Sequence, residues 1–191
     1  MDLVFASNNQ HKVAEIQAII GSTIHLKSLK DIGCTEEIPE TGRTFEDNAG
    51  QKSHFVYSKY GYNCFADDSG LEIDALGGEP GVDSAHYSGT RNFEENMQLV
   101  LDKLGDSTER SARFRTVISL IIEGEEFLFE GSIEGRIATM RSGSEGFGYD
   151  PIFIPEGYEI SFAEMSAEEK NRISHRAKAT EKLISFLQKH Y

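Results

Sequence analysis

The sequence predicts an α/β fold: an α/β beginning to which an antiparallel section is attached. Three observations carry this. A short apolar segment at the N-terminus leads through a polar loop into a helical stripe, three strand-like segments follow one another between Arg113 and Met140, and further apolar stripes at helical spacing are bounded by caps and glycines. At 191 residues the chain has the length for one domain, residues 1–191, or for two small lobes sharing a sheet, with a real core.

Taking the elements in order, Asp2 to Ala6 is short and apolar, as a buried strand requires. Val13, Ile16, Ile19 and Ile20 then form one helical stripe, and Gly21 is placed to end it. The loop between them reads Ser7-Asn8-Asn9-Gln10-His11-Lys12. The amides and positive dipole end of such a helix suit an anion, with Ser7 and Asn9 as hydrogen-bonders and Lys12 as a point charge. An ordinary capped helix start explains the same residues. The spacing GxxxxGK[ST] is missing, which excludes a P-loop.

A second strand is expected over Ile24 to Leu29, then an irregular stretch through Pro39. Thr44 is a helix N-cap with Asp47 as its partner, Phe45, Ala49, Val56 and Tyr60 share a face, and Gly61 stops the helix. Lys52 lies on this helix one turn from Asn48, with Glu40 just upstream; they matter if the fold brings them beside Asp68.

The stretch Ala66 to Gly81 follows a short strand, Asn63 to Phe65, and no packing requirement explains it. We expect Asp67, Asp68 and Ser69 to stand at the strand's end, with Gly70 turning the chain. Paired carboxylates there suit a hard divalent cation or the deprotonation of a water. The alternative is an Asx-type turn in which they satisfy local amides. Gly77 to Gly81 is a turn cluster.

Asn92 to Glu95 reads as a capping box opening a helix with Phe93, Met97, Val100, Leu101 and Leu104 inward. Arg113 to Ile122 and Phe127 to Glu134 form a hairpin, with Gly135 to Met140 as a third strand. In Ser142 to Pro151, glycines permit close backbone approach to a ligand, Phe147 or Tyr149 offers a flat face for a base, and Asp150 accepts from ring N–H groups. A turn with inward aromatics is the other reading, and the spacing is not GxGxxG. Ser166 to Glu169 is a second capping box. Ile173, Ala177, Thr180, Ile184 and Leu187 form a helical face, unless Ser174 caps a fresh helix with His175 and Arg176 at its start.

Composition removes several classes. A net charge of -13 argues against nucleic-acid binding, which rests on many cationic contacts to phosphate. No run is long enough for a membrane span, and the N-terminus lacks a basic n-region and a signal-type apolar core, so a cytoplasmic protein is expected. Cys34 and Cys64 show no metal-ligand or disulfide spacing.

Together, Ser7-x-Asn9-x-x-Lys12, Glu40-Thr41-Gly42-x-Thr44-Phe45-x-x-Asn48-Ala49-x-x-Lys52, Asp67-Asp68-Ser69-Gly70-Leu71, Gly146 to Pro151 and Lys170-Asn171-x-x-Ser174-His175-Arg176 resemble the inosine/xanthosine triphosphate pyrophosphatase family. The resemblance spans nearly the whole chain in matching order. It implies a long bent mixed sheet flanked by helices, two lobes with a substrate cleft between them, and a homodimer. It also implies attack of water on the α-phosphorus of ITP, dITP or XTP, giving the monophosphate and pyrophosphate.

Carried over by position, Asp68 is the implied general base and a Mg2+ ligand, and Glu40 is a second Mg2+ ligand. Ser69, Lys12, Lys52 and the loop from Ser7 match triphosphate contacts, with Asn8, Gln10 and His11 acting through their backbone. Phe147, Gly148, Tyr149, Asp150, Lys170, His175 and Arg176 match the base pocket. The chemistry agrees: donors from His175 and Arg176 suit a purine O6, and adenine's 6-amino group would leave donor facing donor. One departure is Ser84-Ala85-His86-Tyr87, where many relatives carry arginine in place of His86. The rival readings are a pyrophosphatase for another modified base, such as a methylated pyrimidine nucleotide, and a non-catalytic purine nucleotide sensor.

Overall fold

The computed structural model describes residues 1–22 and 24–191. In chain order the main elements are β1 (Asp2–Phe5), α1 (Gln10–Ile20), β2 (His25–Lys27), α2 (Phe45–Tyr60), β3 (Cys64–Ile73) and α3 (Phe93–Leu104). They continue with β4 (Ser111–Ile122), β5 (Glu125–Ile137), β6 (Phe153–Pro155), α4 (Ala167–Ile173) and α5 (His175–His190). The strands lie in the order β2-β1-β3-β4-β5-β6, with β1 parallel to β2 and β3 and β5 antiparallel to β6. This is the mixed sheet with flanking helices that an α/β fold calls for. Among the described residues no helix is long and apolar enough to cross a membrane.

The chain divides into two compact units: Met1–Asp68, Thr116–Gly131 and Arg176–Tyr191 form the first, and Ser69–Arg115 with Ser132–His175 form the second. In the first unit the strands alternate. Leu3, Phe5, Phe65, Ile118 and Leu120 pack with Ile16 and Ile20 of α1 and Ala179, Leu183 and Leu187 of α5. Val4, Ala6, Cys64, Ala66 and Ile121 turn the other way and pack with Val56 of α2. That is the two-residue period of a sheet covered on both faces. The second unit has its own core of Leu71, Met97, Val100, Phe114, Ile152, Phe153 and Phe162.

The local signals act as the sequence predicts. Asn9 accepts from the amides of His11 and Lys12, Thr44 accepts from Asp47, and Gly21 and Gly61 cap their helices. Ser166 and Glu169 form a complete capping box, whereas at Asn92 only half of the expected box forms: Asn92 accepts from the amides of Glu94 and Glu95, but the Glu95 carboxylate accepts from Thr90 instead of reaching back to the Asn92 amide.

Three expectations are corrected and one open alternative is decided. The chain does not turn at Asp67 to Gly70: β3 runs straight through them, because charged partners described below compensate the buried carboxylates. The expected strand Ile24 to Leu29 contracts to His25–Lys27. The two strands predicted from Phe127 on are one strand, β5, which ends at Ile137 short of Met140; a side chain at Gly135 would collide with the Ile154 carbonyl, so this glycine admits β6 rather than breaking β5. The last helical face is split at Ser174, whose ψ of 156° is extended, so α5 starts afresh at His175.

Candidate active site

The first unit holds a buried charged cluster built on β3. Asp67 follows Phe65 on the face covered by α1 and α5, and its side chain is fully buried. Lys12 Nζ of α1 stands 3.0 Å from Asp67 Oδ2, and Arg176 Nε of α5 donates to the same oxygen at 3.4 Å. The Arg176 Nη1 also pairs with Glu15 of α1. Burial opposes the Asp67 charge, but Lys12, Arg176 and Lys52 outweigh it and hold the carboxyl well below its ordinary range. Burial in turn lowers Lys12 from the usual lysine value despite Asp67.

Asp68 points to the opposite face, toward α2. Asn48 Nδ2 donates to Asp68 Oδ2 at 2.9 Å, and Lys52 Nζ, one turn later, donates to the Asp67 carbonyl at 2.7 Å and pairs with Glu40. Here burial wins: it pushes the Asp68 carboxyl up, against Lys52, Lys12 and the Asn48 bond. Two consecutive carboxyls thus differ in proton affinity because the strand turns them to different surroundings, the pattern that separates a fixed charge from a proton acceptor.

At the start of α1, Ser7 Oγ accepts from the Asn9 amide at 3.2 Å and Asn9 Oδ1 accepts from His11 and Lys12, so both side chains act as caps. Asn8, Gln10 and His11 are exposed. Glu40, 41% exposed at its side chain, lies beside Lys52. Among the described residues no cluster of three or more His, Cys, Asp and Glu side chains could hold a metal. Glu40 lies near enough to Asp68 to add to the rise that burial gives its carboxyl. Carboxylate oxygens are the donors a hard cation such as Mg2+ takes, one or two from the protein with water and phosphate completing its shell.

The second unit holds a separate arrangement. Lys170 of α4 donates to Asp150 Oδ2 at 2.6 Å, and the Phe147 amide donates to that oxygen at 2.9 Å, closing the glycine loop. The Lys170 ammonium lies 5.0 Å from the Phe147 ring centroid and 5.5 Å from that of Phe162, within cation–π range. Phe147 and Gly148 are half-buried. Tyr149 is packed in the core and donates to the Ser84 carbonyl at 2.7 Å; burial raises its phenol. His175 stacks on Phe114 with centroids 4.8 Å apart. Ser69 directly follows Asp68 on β3 and is half-buried. His86 is half-exposed, 3.5 Å from Asp83.

The structure therefore brings Lys12, Glu40, Lys52, Asp68 and Arg176 into one unit, and Phe147, Asp150, Lys170 and His175 into the other. Glu15 was missed as a site residue, and Asp67, read as one of the paired carboxylates, is instead the partner of Lys12 and Arg176. Glu15 lies one helical turn after Lys12, but its partner and that of Asp67, Arg176, is 161 and 109 residues away in sequence.

Fold and site define an α/β protein whose sheet buries adjacent aspartates among lysines and an arginine, a setting for phosphate and divalent-cation chemistry. The chain belongs to the Ham1 family, whose model matches residues 3–186. It is 54% identical over 187 residues to a dITP/XTP pyrophosphatase of Flavobacterium psychrophilum, covering 97% of this chain and 98% of the relative. A Bacillus subtilis dITP/XTP pyrophosphatase is 45% identical over 192 residues, covering 98% and 97%. The solved Staphylococcus aureus Ham1 protein superposes with a TM-score of 0.91 at 39% identity, covering 100% of both chains.

Proposed function

We propose that this protein hydrolyses the deaminated purine nucleoside triphosphates ITP, dITP and XTP to monophosphate and pyrophosphate, clearing them from the nucleotide pool. The observation that carries the reading is the divergence of Asp67 and Asp68: one carboxylate is held by Lys12 and Arg176, while the other turns to Asn48 on the opposite face. The similarity to dITP/XTP pyrophosphatases along almost the full chain supports it.

In this reading Asp68 takes the proton of the water that attacks the α-phosphorus, the bond between the α-phosphorus and the bridging oxygen breaks, and pyrophosphate leaves. Asp68 and Glu40 would hold Mg2+, which supplies charge neutralisation for the triphosphate. Lys12 and Lys52 add fixed positive charge, Ser69 adds a hydroxyl, and the Ser7 to Lys12 loop presents backbone groups. In the second unit, Phe147 offers a ring face, Gly148 lets the backbone approach, and Tyr149, Asp150 and Lys170 hold the loop that receives the base. His175 and Arg176, at the start of α5, direct donors to O6.

We further propose that residues 1–191 act as a single domain, as a cytoplasmic homodimer that binds no nucleic acid. The charge of -13 supports the last point. The deciding experiment incubates the purified protein with ITP and Mg2+, separating pyrophosphate from orthophosphate, with ATP, GTP and a methylated pyrimidine triphosphate in parallel. IMP and pyrophosphate from ITP, with ATP and GTP nearly untouched, is the expected result. Orthophosphate as first product, or no turnover, would overturn it.

A further inference from the structure

A second chain of polar groups runs behind the helix that carries Asn48 and Lys52. Ser53 follows Lys52 on α2, Ser119 sits in β4, and both are fully buried. Their Oγ atoms stand 2.6 Å apart, Ser119 Oγ donates to Glu126 Oε1 at 2.7 Å, and Glu126 Oε2 lies 3.0 Å from His54 Nε2. Ser53 Oγ also donates to the Gly50 carbonyl at 3.0 Å. Gly50 completes the arrangement: a Cβ there would stand 3.1 Å from Glu126 Oε1, so the helix has no side chain where the hairpin carboxylate crosses it.

The proton count gives this chain a direction. Each hydroxyl has one proton to give, and an ionised carboxylate can only accept. Ser119 must therefore donate to Glu126, and the one Ser53 proton is divided between the Gly50 carbonyl and the Ser119 oxygen. Burial works against the Glu126 charge, but the bonds from Ser119 and His54 hold its carboxyl below the ordinary range. Around this chain α2 meets the sheet through apolar packing of Val56 with Ala66 and Ile121, beside one weak bond from the Cys64 thiol to the Ser53 carbonyl at 3.2 Å. Apolar contact is non-directional and lets a helix rotate or slide. Short hydrogen bonds of fixed order do not.

We propose that Ser53, Ser119 and Glu126 are positioning residues: they fix the rotation and depth of α2 on the sheet, and so the reach of Asn48 to Asp68 and of Lys52 to the Asp67 carbonyl. Those two bonds, 2.9 Å and 2.7 Å, leave little room. A displacement of about 1 Å in groups that orient a reaction costs on the order of a hundredfold in rate. The effect on turnover rests on the pyrophosphatase reading; the effect on α2 does not.

The test compares Ser119→Ala and Glu126→Ala with Glu126→Gln, which keeps an acceptor, in the full-length protein. One readout is the Asn48 side-chain amide signal in NMR, identified by its loss in Asn48→Asp. The other is the Mg2+ concentration giving half-maximal turnover of ITP. Both alanine variants are expected to move the Asn48 signal and raise the Mg2+ requirement about tenfold, the lower end for outer partners of metal ligands. Glu126→Gln is expected to restore both. Unmoved Asn48 signals with unchanged Mg2+ dependence would overturn the proposal. A wild-type protein without activity on ITP would defeat the functional reading alone, and the Asn48 signal would then decide this one. If Ser119→Ala does not fold, Glu126→Ala, at a half-exposed site, decides.

Discussion

Asp67 and Asp68 are consecutive in β3, yet Asp67 meets Lys12 and Arg176 on one face while Asp68 meets Asn48 of α2 on the other. The alternation of a strand converts one dipeptide into two chemically different carboxyls. Substitution separates their roles. Asp68→Asn keeps an acceptor for Asn48 but removes the proton acceptor, so pyrophosphate release from ITP falls by about 10²–10⁴ while the fold is retained. Asp67→Asn leaves Lys12 and Arg176 facing a neutral group and destabilises by about 3–5 kcal/mol. A turnover assay beside a denaturant melt reads both; equal losses of stability would refute the division.

The same pair predicts opposite pH effects in the metal-free protein. Asp67 has its folded carboxyl lowered, so its contribution to stability is present above the unfolded value of about 3.9 and is lost as pH falls through the folded value. Asp68 has its folded carboxyl raised, so its contribution is present below about 3.9 and is lost as pH rises through the folded value. In EDTA at pH 8, Asp68→Asn should therefore melt above the wild type, and the gap should close below pH 4. A variant that melts lower at pH 8 would contradict this.

What was legible in the sequence was what neighbours decide. Thr44 with Asp47 and Ser166 with Glu169 are pairs three residues apart, and their hydrogen bonds are the ones their spacing announces. The run of β3 through Asp67 was not legible, because burying that carboxylate depends on Arg176, 109 residues away in sequence. Glu15 looked like an ordinary helix residue for the same reason: its partner is Arg176, 161 residues on. The motif residues Lys12, Lys52 and Asp68 could be named from the sequence, but their hydrogen-bond partners are a property of the sheet.

Arg176 is nearly fully buried and holds both Glu15 and Asp67 through different nitrogens of one planar group. Lysine offers a single charge and cannot span two carboxylates with fixed geometry. Arg176→Lys should fold, melt lower than the wild type, and lose at least about tenfold in preference for ITP over ATP, since a polar pocket discriminates through well-aimed donors. Measuring kcat/KM for both nucleotides decides; an unchanged ratio would remove Arg176 from recognition of O6.

Gly146 and Gly148 test whether the loop after Ser142 is shaped for a purpose. Both have positive φ, 73° and 62°, so alanine at either position costs about 1–2 kcal/mol from backbone strain alone. They differ in surroundings. A Cβ at Gly148 meets open space, whereas one at Gly146 would collide with the Asp150 carboxylate that accepts from the Phe147 amide and Lys170. Gly148→Ala should therefore lower stability without disturbing that carboxylate. Gly146→Ala should also displace Asp150, release Lys170 from beneath the Phe147 ring, and raise KM for ITP by about tenfold or more, as lost base-pocket hydrogen bonds do. The comparison is read from KM and melting temperature together. Equal KM values in the two variants would show that the Asp150 to Lys170 bond does not shape the base pocket.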